Sequence, residues 1–160
     1  MCAAMKSDDF KKLAVISLDN GAKLGYVDDL LFDTQQLQVV AFCLSNDGQH
    51  AVIPRDAVQN VGMDAVTVAS GAVVRSLSAE PSLTALPGLD HMRALKVVNE
   101  RGDLVGKIDE LDIDPASGKL IDVRTHEGGL LGIGGKSETI PADEIRSVGD
   151  EVMIVTASPS

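Results

Sequence analysis

Gly21-Ala22-Lys23-Leu24-Gly25-Tyr26-Val27-Asp28-Asp29-Leu30 returns eighty-one residues later as Gly102-Asp103-Leu104-Val105-Gly106-Lys107-Ile108-Asp109-Glu110-Leu111. Two glycines, an aspartate and a leucine keep their places, and Asp33 falls on Asp114. Apolar type is kept at Val27/Ile108, Phe32/Ile113, Val39/Leu120, Val40/Ile121 and Phe42/Val123. Further on the step lengthens to eighty-seven: Ile53, Pro54, Asp56, Val61, Gly62 and Val68 fall on Ile140, Pro141, Asp143, Val148, Gly149 and Val155. The difference of six is an insertion within 128–136. Eleven identities in one order, with one local insertion, mark two copies of a module of about 65 residues.

Each copy reads as short apolar strands separated by turn signals. In the first copy strands are expected at 13–16, 24–32, 39–44, 51–53 and 65–68. Asn20-Gly21 supplies a hairpin turn, because this pair tolerates positive φ. Pro54 opens one helical turn over 54–58, since proline suits a first helical position. The second copy repeats the series from 95 to 155. Between the copies, a stretch rich in Ser, Ala, Leu and Pro reads as a linker with room for a short helix.

The second strand breaks the alternation. Leu24, Val27, Leu30 and Phe32, like Val105, Ile108, Leu111 and Ile113, are spaced three, three and two apart. A flat strand has period two, so a bulge or bend is expected at Asp28-Asp29 and Asp109-Glu110, as in sheets that close into small barrels. Asp28 and Asp109 sit at the break, where hydrogen bonding to amides freed by the bulge is their expected role.

Composition agrees with sheet. The chain has 160 residues, 44% of them apolar and 24% charged, as in an ordinary globular protein. Phe10, Phe32, Phe42 and Tyr26 are its whole aromatic set, against eighteen valines, so the core is built from β-branched residues. No apolar run approaches the roughly 20 residues that span a bilayer, so no membrane insertion is expected. A formal charge of −10 argues against nucleic acid, whose backbone calls for a basic surface. The start carries no secretory pattern, and a cytoplasmic location is expected.

Catalytic and metal-binding patterns are weak. Cys2 and Cys43 make no disulfide framework, and Cys43 lies in an apolar run as a small core side chain. His50, His91 and His126 are far apart and near no cysteine, so no metal site is expected; His50 and His126 fall in corresponding turns. Asp112 and Asp114 lack the third acid and the glycine of a calcium loop. Alternation places Glu110, Asp112 and Asp114 on a solvated face, with Leu111 and Ile113 inward. Gly134-Gly135-Lys136-Ser137 ends like a phosphate loop, but the first glycine is out of register and a strand follows. No nucleophile elbow occurs. No cofactor and no enzyme activity are expected.

The insertion in the second copy carries Leu130, Leu131 and Ile133 among glycines, where the first copy turns tightly at 45–48. These three residues either plug a barrel end or anchor a partner. They are the candidate partner-binding residues. Gly21, Gly25, Asp28, Pro54, Gly102, Gly106, Asp109 and Pro141 are the candidate structural ones.

The two Gly-x3-Gly-x2-Asp stretches, together with residues 129–145 ending in Ile140-Pro141-Ala142-Asp143-Glu144-Ile145, resemble the PRC-barrel domain. The resemblance covers 11–68 and 93–155 and is stronger in the second copy. It implies an all-β chain of two tandem small, strongly bent β-barrels, at 11–69 and 91–157, joined by a linker at 70–90. Members of that family include the cytoplasmic domain of the photosynthetic reaction centre H subunit and the C-terminal domain of the ribosome maturation factor RimM. Neither the membrane helix of the first nor the separate N-terminal barrel of the second is expected here. The resemblance carries over no catalytic residue. It implies a non-enzymatic adaptor that binds another protein or itself as a homo-oligomer. The alternative is a regulator of electron transfer, or a small-ligand binder, related to the H subunit.

Overall fold

A computed structural model of the chain describes residues 4–46, 49–127 and 136–156. In the first copy the strands are β2 (Ala14–Ser17), β3 (Lys23–Asp33), β4 (Gln38–Asn46), β5 (Gln49–Pro54), β6 (Val58–Val61) and β7 (Ala65–Val68). The linker adds β8 (Arg75–Ser76) and the short helix α2 (Pro81–Thr84). The second copy holds β9 (Lys96–Asn99), β10 (Leu104–Ile113), β11 (Leu120–Glu127), β12 (Lys136–Pro141), β13 (Ile145–Val148) and β14 (Val152–Val155). The first sheet runs β6-β7-β2-β3-β4-β5-β8 and the second β12-β11-β10-β9-β14-β13. In each, one parallel pair (β2 with β7, β9 with β14) sits among antiparallel neighbours.

Among the described residues the sheets curl without closing. Among the described residues, no pairing joins β6 to β5 or β13 to β12, so the expected closed barrels are corrected to barrel-like open sheets. The chain passes from β5 to β6 through one 3-10 turn, Arg55–Ala57, although the two strands lie near opposite ends of the sheet. Three residues at about 2 Å each span little distance, so the sheet must bend nearly round on itself. The repeated turn Ala142–Glu144 imposes the same bend on the second sheet. Pro54 and Pro141 cap these turns in extended conformation rather than occupying the first helical position, because each is also the last residue of a strand.

The bulges lie where the broken alternation puts them. Val27 and Asp29 of β3 face consecutive residues Leu44 and Cys43, leaving Asp28 as the extra residue. Ile108 and Glu110 likewise face Thr125 and Arg124, leaving Asp109 over. Gly21 and Gly102 take φ of 72° and 86° in the preceding turns. Gly25 and Gly106 take 147° and 158°, and a Cβ at Gly106 would lie 3.0 Å from the His126 carbonyl oxygen.

Two elements before the first strand have no sequence signal. These are β1 (Met5–Lys6), which pairs with β10 at Ile113 and Asp112, and α1 (Ser7–Phe10). Their counterpart ahead of the second copy is α3 (Leu89–Ala94). Phe10 and Leu13 correspond to Met92 and Leu95, and all four are buried. One apolar cluster runs from Phe10, Phe32 and Phe42 through Leu89 and Met92 to Ile113 and Met153, so both copies share a core.

The copies meet about a pseudo-twofold axis. Val39 N–H donates to the Gly118 carbonyl (2.7 Å) and Leu120 N–H to the Leu37 carbonyl (2.9 Å), around the isolated pair Gln38–Lys119. Each of these residues lies eighty-one from its equivalent across the axis. A residue meets the counterpart of its counterpart's partner, as in an isologous dimer.

Candidate functional site

The carboxylates at the bulges act one residue later than expected. Asp28 and Asp109 are exposed; the downstream amides of Leu30 and Leu111 donate to Asp29 Oδ1 (2.8 Å) and Glu110 Oε1 (3.0 Å). The extra residue of the bulge turns outward, which leaves its successor to reach the amide. Each acid also grips the helix that begins the other copy. Asp29 Oδ1 accepts from Leu89 N–H (2.9 Å), and Glu110 Oε1 accepts from the Ser7 hydroxyl. Arg93 adds bonds to Asp8 (2.5 Å) and Glu110 (3.2 Å). The Arg93 bond holds the Asp8 carboxyl below its usual range, against partial burial. These acids are fasteners between the copies.

The outer faces of the two sheets differ in chemistry at equivalent positions. On the first, Leu31, Ala41, Cys43 and Val52 are buried beneath Leu77, Leu83 and Leu86 of the linker. β8 continues that cover by pairing with β5, Ser76 opposite Ala51 and Arg75 opposite Val52. Desolvation first, then Asp29 and Asp28, push the Cys43 thiol up to about 12, as befits a packing residue.

On the second sheet the same four positions are Asp112, Asp122, Arg124 and Thr139. Asp112 is 4% exposed, which corrects the expectation of a solvated acid. Glu110 is half-buried too, because β1 and α1 cover this end of β10. Asp112 accepts from Arg124 Nε (2.9 Å) and Nη2 (3.3 Å). Asp122 stands directly across from it, and two like charges opposite each other repel. Burial, followed by the hydrogen bond to Asp112 and its charge, raises the Asp122 carboxyl to about 6. Asp122 Oδ1 is buried with no partner.

β12 lies at the rim of this face. Ser137, Glu138 and Thr139 are exposed, whereas the equivalent Ala51 is half-buried and Val52 is buried. Among the described residues β12 pairs only with β11. Among the described residues Arg124 is exposed and Asp122 half-buried on a sheet whose edge strand β12 takes no further partner, whereas the linker covers the same face of the first sheet.

The remaining sequence candidates are scattered. Leu130, Leu131 and Ile133 lie outside the described residues. His50 and His126 lie in β5 and β11 rather than in turns, each across from a serine, Ser45 and Ser137. Among the described residues no group of three or more His, Cys, Asp or Glu side chains could hold a metal ion. Asp112, Asp122 and Arg124 escaped the sequence reading, though aligning the repeats shows three apolar positions of one face turned charged. An open apolar depression of about 620 Å³ also lies beside β5, lined by His50, Val74, Leu77 and Thr84 among others.

No helix among the described residues is long and apolar enough to cross a membrane. The family model for the PRC-barrel domain matches residues 4–75 and again 89–160. No curated protein matches the chain.

Proposed function

The chain belongs to the PRC-barrel domain family, which it carries as two tandem copies, and from that premise we propose that it is a non-enzymatic adaptor, binding another protein or a second copy of itself. One observation carries this reading. Two sheets of equal register differ among the described residues: the linker covers the outer face of the first, while on the second Arg124 is exposed and β12 pairs only with β11. A strip that pairs open main-chain groups with charged side chains suits a protein segment, which can meet both. The acidic surface disfavours nucleic acid as the partner. Its setting in this reading is the cytoplasm, where a thiol such as Cys43 stays reduced.

Native mass spectrometry of the protein taken from its host tests this. A co-purifying protein or a homo-oligomer is the expected result. A monomer carrying a stoichiometric small molecule would overturn it in favour of a small-ligand binder or regulator of electron transfer. The depression beside β5 is the observation that favours this second reading, since its volume lies within the range of ligand pockets. Substituting Val74→Trp there would then displace the molecule, and would leave a protein complex intact.

A further inference from the structure

We infer that residues 75–86 form a strap that opens as one unit while both sheets stay folded, uncovering the β5 edge and the apolar strip beneath. The inference rests on the adaptor reading for its role, in which the closed strap is an autoinhibitory contact over a binding face of the first sheet.

The strap is pinned at its ends and lightly held between them. Before it, Val73 and Val74 pack against the shared core. After it, the Pro87 carbonyl accepts from Phe32 N–H (3.0 Å), and Leu89 is buried with its N–H on Asp29. Between these pins β8 pairs with β5 at two positions, Arg75 opposite Val52 and Ser76 opposite Ala51. Leu77, Leu83 and Leu86 are each half-buried, and the strip they cover is a cluster separate from the shared core. Such a satellite cluster can come apart without opening the main one. The strap is also undercut on one flank. There the depression of about 620 Å³ is lined by His50 and Ala51 of β5 together with Leu77, Ser78 and Thr84 of the strap.

The segment carries hydrogen bonds of its own. Arg75 pairs with Glu80 (2.9 Å), Leu83 N–H donates to the Glu80 carbonyl (3.0 Å), and the Thr84 hydroxyl donates to the Pro81 carbonyl (2.9 Å). These bonds travel with it, so the main-chain cost of lifting falls on the β8 ladder. Lifting bares a strand edge at Ala51 and Val52 beside Leu31, Ala41 and Cys43. An extended partner segment uses both features, main chain against the edge and side chains against the strip. In the closed chain β8 and the leucines after it already fill both.

Cys43 lies under the strap and reports its opening. Burial keeps the covered thiol protonated, so labelling requires that it be uncovered. The test uses the full chain with Cys2→Ser, which leaves Cys43 as its single thiol, and follows its reaction with N-ethylmaleimide by mass. Labelling is expected in the folded protein at a rate that hardly changes with urea below the unfolding transition, since opening the strap exposes little surface. Leu83→Ser removes cover from the strip and should speed labelling at least about fivefold. Phe10→Ala weakens the shared core instead and should leave the rate within about twofold. Labelling that climbs with urea along the global unfolding curve, that follows Phe10→Ala rather than Leu83→Ser, or that fails to occur in the folded protein would each overturn the inference. A co-purifying protein found with a strap that stays shut would keep the adaptor reading and remove the strap from it. A strap that opens in a chain with no protein partner would do the reverse.

Discussion

Asp29 and Glu110 each hold a bulge amide and a neighbouring helix start, whereas Asp28 and Asp109 point to solvent. Asp29→Ala should therefore cost about 1–3 kcal/mol by stranding two donors, while Asp28→Ala stays within about 0.5 kcal/mol. Urea unfolding of the two variants checks this, and equal midpoints would refute it. Asp122 makes a pH-dependent contribution of opposite sign to a salt-bridged acid. Its folded pKa of about 6 lies above its ordinary value of 3.8, so the folded chain holds that proton more tightly. The resulting stability is full below the ordinary value and is lost as pH rises through about 6. Asp122→Asn keeps a donor toward Asp112 at every pH. It should raise stability by about 1 kcal/mol at neutral pH, allowing for solvent screening, and by almost nothing at about pH 4. Melting curves at both pH values decide.

At the scale of elements, the turn between β10 and β11 and its equivalent between β3 and β4 solve one problem with different residues. Leu37 and Gly118 are counterparts, and both take positive φ, 53° and 77°. Glycine is needed at 118, since a Cβ there would lie 2.8 Å from the Val39 carbonyl oxygen and 2.5 Å from Arg55 Cδ. Leu37 tolerates the strained conformation because its side chain packs against the shared core. Gly118→Ala should destabilise by about 1–3 kcal/mol, since it strains φ and pushes apart the pair across the axis. Amide exchange should then quicken at Val39 and Leu120; unchanged protection at both would count against this account.

At the scale of the molecule, the two copies are an isologous dimer made within one chain. Phe10 stacks on Phe42, with centroids 6.1 Å apart, and α1 packs against β10 of the second copy. Phe10→Ala should cost about 3–5 kcal/mol, and the loss should appear in both sheets as one cooperative transition. Exchange protection falling together in β4 and β10 is the expected result; a loss confined to the first copy would show that the halves fold independently.

Sequence by itself determined the duplication, five of the six strands described in each copy and the bulges, because each is a local pattern of spacing that the repeat prints twice; β6, whose first residue Val58 reads as part of the helical turn, and its counterpart β13 are not among them. It also determined the buried role of Cys43, since an apolar run on a strand has little choice of environment. What only tertiary structure decided is who covers whom. The solvated acids foreseen at Glu110 and Asp112 are covered because β1 and α1, short and without periodicity, cross from the first copy onto the second. Closure of the barrels was likewise beyond local reading, because lateral pairing between strand ends depends on how far each sheet curls. The cover over the outer face of the first sheet arises from where the linker folds back. That is a long-range outcome, fixed by contacts between segments whose own sequences specify only short turns and strands.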